Sequence, residues 1–225
     1  MPFLMKSEVK EGGRDFDFNP GIPFHGINKI RISAKFDENC LYTFTDPWCI
    51  QECRKDWNKG PGFRELWRAR HKNTLMLGWR GDSGRGVIEL SPYWHADDKT
   101  PYYIGKEKPT TNGQVHPWTN RITDPGLVGA MAVAPGEWFW YEIELTDPLP
   151  TTGMREYRMT FSNGASFDGM PVPVTDDSHW ITGWWFGGNC DAPHDMSLEW
   201  IIEPCAPPTT PQGGGYGSEN PPYML

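Results

Sequence analysis

Three groups of residues in this sequence could do chemistry. Glu142 and Glu144, followed by Asp147, sit in the stretch FWYEIEL. On a β-strand, carboxylates at i and i+2 share a face with their backbones roughly 6.6–6.8 Å apart. That allows the separation of about 5–5.5 Å that retaining glycoside hydrolysis needs, with one carboxyl as nucleophile and the other as acid/base. The second group is Cys49 with Cys53, and Cys190 with His194, each pair separated by three residues. Such pairs can close a tetrahedral zinc site if the fold brings them together. The third is a surplus of flat aromatic side chains. Trp94, Tyr102, Tyr103 and Trp118 fall in one polar stretch, and Trp138 and Trp140 lie beside the acidic pair. Aromatic faces stack on sugar rings, which makes these six candidate carbohydrate contacts.

The elements that must position these groups are mostly strands. The chain has 225 residues, with 25 Gly and 22 Pro, and that density of breakers leaves little room for long helices. Only 37% of residues are hydrophobic, but 14% of the chain is aromatic, which supplies the apolar area for a core. Period-two alternation marks strands over Asn28 to Asp37, Glu137 to Thr146, Arg155 to Phe161 and Met196 to Glu203, and the turn Gly81-Asp82-Ser83-Gly84 joins two more at Thr74 to Arg80 and Gly86 to Ser91. Leu127 to Val133 and Ile181 to Gly187 complete the set, and Leu41 to Phe44 continues the first strand after a turn. Trp48 to Asn58 and Gly62 to His71 are the helix-like stretches, and Pro92 to Pro125 reads as one long loop containing Gln114 and His116. Residues 1–26 read as an extended N-terminal arm, 27–204 as the folded domain, and 205–225 as a Pro/Gly-rich tail.

Composition also excludes partners. A net charge of −8 argues against a nucleic-acid binder, and no apolar run is long enough to span a membrane. No secretory signal is visible at the N-terminus. Free buried thiols are the simplest expectation for the five cysteines. The zinc site of Cys49, Cys53, Cys190 and His194, or a bridge from Cys40 to Cys49 or Cys53, are the alternatives. No cofactor is required; besides zinc, calcium could take Asp176, Asp177, Asp191 and Asp195 as oxygen ligands.

The segment from Gly136 to Pro204 resembles the second half of the concanavalin A-like lectin and glucanase jelly rolls. A strand entered at Gly-x-Trp carries WFWYEIEL, REYRMTF pairs with it, and GWWFGG precedes the closing MSLEWIIEP. The resemblance implies an all-β, antiparallel sandwich of jelly-roll type. Two enzyme families of this fold leave echoes. Laminarinase-type endoglucanases carry Glu-x-Asp-x-x-Glu where this chain has Glu142-x-Glu144-x-x-Asp147. Alginate lyases carry Arg-x-Glu-Leu-Arg and Gln-Ile/Val-His strands, to which Arg64-Glu65-Leu66-Trp67-Arg68 and Gln114-Val115-His116 are similar. In the lyases, Arg and Gln neutralise the uronate carboxylate, and His takes the C5 proton with a Tyr as acid. The resemblance thus implies Arg64, Arg68, Gln114 and His116 as a lyase set, and Glu142 and Glu144 as a hydrolase set.

A sugar-directed fold without a visible signal, flanked by an arm and a tail that could lace onto neighbouring subunits, leads to the first expectation. This is a non-enzymatic, lectin-like decoration or adhesion protein of a bacteriophage virion, reaching the outside without a signal peptide and able to bind polysaccharide. The alternative is a polysaccharide lyase or glycoside hydrolase acting on an extracellular polysaccharide.

Overall fold

The structure is a computed structural model and describes residues 4–16, 22–25, 27–52, 57–65, 74–95, 114–115, 131–147, 155–172, 178–186 and 190–205. Alternation in the sequence becomes two facing antiparallel sheets. Strand β3 (Lys29–Phe36) buries every second residue, as does β9 (Phe139–Leu145), and the two pair with Ile32 opposite Tyr141 and Ala34 opposite Phe139. Around them, β1 (Leu4–Val9), β10 (Arg155–Phe161), β11 (Ser166–Val172) and β13 (Met196–Pro204) complete a six-stranded sheet in the order β1-β13-β3-β9-β10-β11. The second sheet has the order β2-β12-β4-β5-β6-β7, from β2 (Ile22–His25), β12 (Ser178–Ile181), β4 (Asn58–Glu65), β5 (Thr74–Asp82), β6 (Val87–His95) and β7 (Gln114–Val115). Strand β8 (Met131–Val133) also pairs with β6, so this sheet has seven strands. This is the expected jelly-roll sandwich.

The inward faces meet in an aromatic core. Phe36 of β3 lies 5.5 Å from Phe139, 5.0 Å from Trp79 and 5.5 Å from Trp184, ring centre to ring centre. Burying each such ring contributes about 1.5–3 kcal/mol. Tyr141 is fully buried, and its hydroxyl crosses the sandwich to donate to the Pro61 carbonyl on β4 at 2.9 Å.

Several expectations shift. Within residues 1–26, β1 edges the six-stranded sheet against β13 and β2 edges the other against β12. Leu41 to Phe44 is irregular and packs Tyr42 and Phe44 on Phe186. The helix-like stretch at 48 yields one short helix, α1 (Pro47–Glu52), whereas Gly62 begins no helix and belongs to β4. Gln114 lies in β7 and not in a loop. The tail beyond residue 205 lies outside the described residues.

Candidate functional site

Strand β4 carries NKGPGFRE, and its pairing with β5 slips between Lys59 and Gly62. Pro61 has no N–H for the ladder, so the chain bulges there. A Cβ at Gly62 would collide with the Leu75 carbonyl oxygen, so only glycine lets β4 close on β5. Partners fix the bulge on both flanks. Tyr141 donates to the Pro61 carbonyl at 2.9 Å, and the Thr182 amide donates to that of Gly62 at 3.0 Å. Lys59 exchanges backbone hydrogen bonds with Trp185, at 3.0 and 2.9 Å.

The register then sorts β5 and β6 by face. Leu75, Leu77 and Trp79 enter the main core with Ile88 and Leu90. The intervening positions pair Met76 with Tyr93, Gly78 with both Ser91 and Lys59, and Arg80 with Glu89, on the face turned away from that core. There Trp57, Met76 and Tyr93 form a separate buried cluster. Lys59 Nζ sits 5.0 Å from the centre of the Tyr93 ring, and the Arg80 guanidinium lies 4.7 Å over Trp57. Lys59 is 6% exposed and Tyr93 1%. Gly78 makes the cluster fit, because a Cβ there would stand 3.2 Å from the Tyr93 Cβ and 3.4 Å from the Trp57 Cβ. One step along the pleat, the register sets Trp180, Arg64, Thr74, His95 and Gln114 side by side in one row across five strands. An amine 5.0 Å from the centre of a phenol ring, one pleat from the strand positions of Arg64 and Gln114, sets a potential base and a potential acid on one face of the sheet.

Of the lyase residues expected from sequence, Arg64 and Gln114 thus share a row, while Arg68 and His116 lie outside the described residues. Glu142 and Glu144 are on the opposite side of the molecule, on the outer face of the six-stranded sheet. Glu142 takes Lys29 at 2.8 Å and Arg31 at 2.6 Å, and Glu144 lies 3.9 Å from Arg158. Burial works to raise the Glu142 pKa, but Lys29 and Arg31 outweigh it and hold the carboxyl below its usual range. The pair is therefore spent on ion pairs of the sheet. Trp138 and Trp140 share that outer face, under Lys35 at 5.4 Å and Arg31 at 4.6 Å, and Trp138 is 44% exposed. Trp94 is in β6 opposite Leu75 and Val115, and Tyr102, Tyr103 and Trp118 are outside the described residues.

The cysteines divide between the expectations: Cys40 is the free buried thiol expected, while the zinc site and a Cys40 bridge to Cys49 are corrected. Cys49 of α1 and Cys190 form a disulfide, with Cα atoms 5.8 Å apart, which removes two of the four proposed zinc ligands. His194 Nε2 lies 2.8 Å from the Asn39 carbonyl, and Cys53 is outside the described residues. Cys40 is a free thiol in the core, and burial pushes its pKa up to about 12. Of the calcium candidates, Asp191 pairs with Arg14 and Asp195 with Lys10, and Asp176 and Asp177 are outside the described residues. Among the described residues there is no metal-ligand cluster.

Sequence reasoning missed Trp57, Lys59, Met76 and Tyr93. The available signal was the alternation of Met76, Gly78 and Arg80 with apolar residues, which two buried faces disguise.

Two antiparallel sheets in this order define an all-β sandwich of jelly-roll type. Among solved structures it is similar to the alginate lyase Aly36B, with a TM-score of 0.52 and 11% identity over 88% of this chain and 80% of that one. A mutant of the same lyase in complex with alginate trisaccharide matches with a TM-score of 0.53 and 12% identity over 90% and 82%. A marine alginate lyase from Aplysia kurodai follows at 0.48 and 12%, over 90% and 83%. No protein-family model and no curated protein matches the sequence. At these identities the likeness shows the fold. The expectation of a non-enzymatic virion decoration protein is not upheld: the structures named here with TM-scores above 0.5 are those of an alginate lyase, in line with the alternative.

Proposed function

We propose that this protein is a polysaccharide lyase that cleaves a uronate-containing polysaccharide by β-elimination. One observation carries the reading: Lys59, Met76 and Tyr93 meet on the non-core face of the seven-stranded sheet, one pleat from the row that holds Arg64 and Gln114. The matched lyase structures with bound alginate oligosaccharides are variants in which a lysine and a methionine, or a lysine and a tyrosine, are replaced by alanine. The same three residue types occur here in the same chain order, which supports the assignment.

The elimination runs as follows. Arg64 and Gln114 neutralise the uronate carboxylate and so acidify C5. The Lys59 amine takes the C5 proton, the C5–H electrons form the C4–C5 double bond, and the C4–O bond breaks. The departing oxygen receives the proton of the Tyr93 hydroxyl. Proton transfer from Lys59 back to Tyr93 restores both groups, and no water is consumed. His116, two residues beyond Gln114, is the alternative base. The Cys49–Cys190 bridge favours an oxidising, extracellular setting for such an enzyme.

Incubation with alginate, followed by ultraviolet absorbance of the conjugated double bond and mass analysis of the ends, tests the reading. Unsaturated ends are expected. Lys59→Ala and Tyr93→Phe should each lower turnover about 10²–10⁴-fold while alginate still binds. If His116→Ala abolishes turnover and Lys59→Ala does not, the base is His116. Saturated ends, or no cleavage of any polyuronate, would refute the lyase.

A further inference from the structure

The site does not end at Tyr93. Trp57 touches the Met76–Tyr93 cluster on one side and carries the Arg80 guanidinium on the other. Arg80 is held by Glu89, which accepts from Arg80 Nε at 2.5 Å and, through its other oxygen, from Arg85 Nη1. Glu89 is 1% exposed, and an isolated carboxylate so deeply buried would be costly. Between two arginines it acts as a bracket that fixes both guanidinium groups by one edge. The Arg80 side chain is 17% exposed and the Arg85 side chain 49%. Asp82 receives the Arg85 backbone N–H through Oδ1 at 3.1 Å, and its Oδ2 is 3.9 Å from Arg85 Nη1. Among the described residues, Arg85 Nε and Nη2 have no acceptor. A guanidinium held at one edge and open at the other is the geometry that receives a carboxylate in two parallel hydrogen bonds.

We propose that Arg80 and Arg85 form a second carboxylate-binding subsite for the polyuronate, at the β5–β6 hairpin end of the same face. This rests on the lyase reading and deepens it. Arg80 is four residues from Met76 along β5, or roughly 13 Å. The subsite therefore engages a different sugar unit from the one losing its proton. It makes the enzyme prefer long anionic chains to short ones, and to neutral chains of the same length.

The test uses the full chain with Arg85→Ala and Arg85→Lys. Arg80 is left intact, because removing it would strand the buried Glu89. kcat/KM is measured on long alginate and on the shortest oligouronate cleaved. The long-to-short ratio should fall about three- to fivefold in Arg85→Ala, as expected for a half-exposed ion pair. Arg85→Lys keeps the charge but not the two parallel hydrogen bonds and should recover only part of it, and the difference should shrink at about 1 M salt. An unchanged ratio would overturn the subsite and leave the lyase standing. A wild type that cleaves no polyuronate would overturn the lyase instead. Retention of wild type and Arg85→Ala in alginate-containing native gels then tests the subsite alone, and equal migration of the two would overturn it.

Discussion

The Tyr141 hydroxyl joins the core to the site, and removing it should reveal the link. Tyr141→Phe keeps the ring among Phe139, Phe161 and the β3 side chains and deletes only the donor to the Pro61 carbonyl. A buried carbonyl left without its partner costs about 1–3 kcal/mol. For a domain of this size that is a fall in Tm of about 4–8 °C at the middle of the range. Urea unfolding at pH 7 should show the same loss as a lower midpoint at unchanged slope. The pH dependence has a definite sign. Burial raises the Tyr141 pKa well above the ordinary value of 10. The folded protein therefore holds this proton where the unfolded chain releases it. The contribution is complete below pH 10 and is lost as pH rises above it, so the gap between wild type and variant should narrow there. Because the same bond braces the bulge beside Lys59, turnover should fall as well. Equal midpoints for the two proteins at pH 7 would refute the reasoning, since the bulge would then be held without this hydroxyl.

Three other perturbations have defined outcomes. Gly78→Ala places a Cβ 3.2 Å from that of Tyr93; it should cost about 1–3 kcal/mol by overpacking and reduce turnover by more than its melting temperature suggests. Glu142→Gln removes a carboxyl whose pKa is held down by Lys29 and Arg31. The wild-type advantage should be present above the ordinary carboxylate value and vanish as pH falls through the lowered one, as read from unfolding midpoints across the acid range. Cys190→Ala opens a bridge spanning 141 residues and should lower stability by about 2–5 kcal/mol, measured against reduced wild type, which should lose the same amount.

The two sheets were unequally legible in the sequence. Strands β3, β9 and β13 each bury one face and leave the other partly solvated, so KIRISAKF, FWYEIEL and MSLEWIIEP alternate visibly. Strand β5 is buried on both faces from Leu75 to Trp79, so its period is hidden. Strands β4, β6 and β11 contain Pro61, Pro92 and Pro171, residues that read as breakers, and β11 went unseen. The site suffered most. Lys59, Met76 and Tyr93 are brought together by a bulge and a hairpin register, and neither is encoded in any local spacing. Glu142 and Glu144 had the right spacing for hydrolysis, but the strand's parity turned them outward to Lys29, Arg31 and Arg158.

The strand order has a consequence for biosynthesis. In both sheets a strand made late lies between two made early: β13 separates β1 from β3, and β12 separates β2 from β4. Until those segments have left the ribosome, the N-terminal half has neither sheet closed, and the edges of β3 and β4 stand open to other nascent chains. Folding must therefore be largely post-translational and slow for the chain length. Fragments ending before residue 204 should be recovered in aggregates, and a holding chaperone during expression should raise the yield of the whole chain more than a lower temperature does.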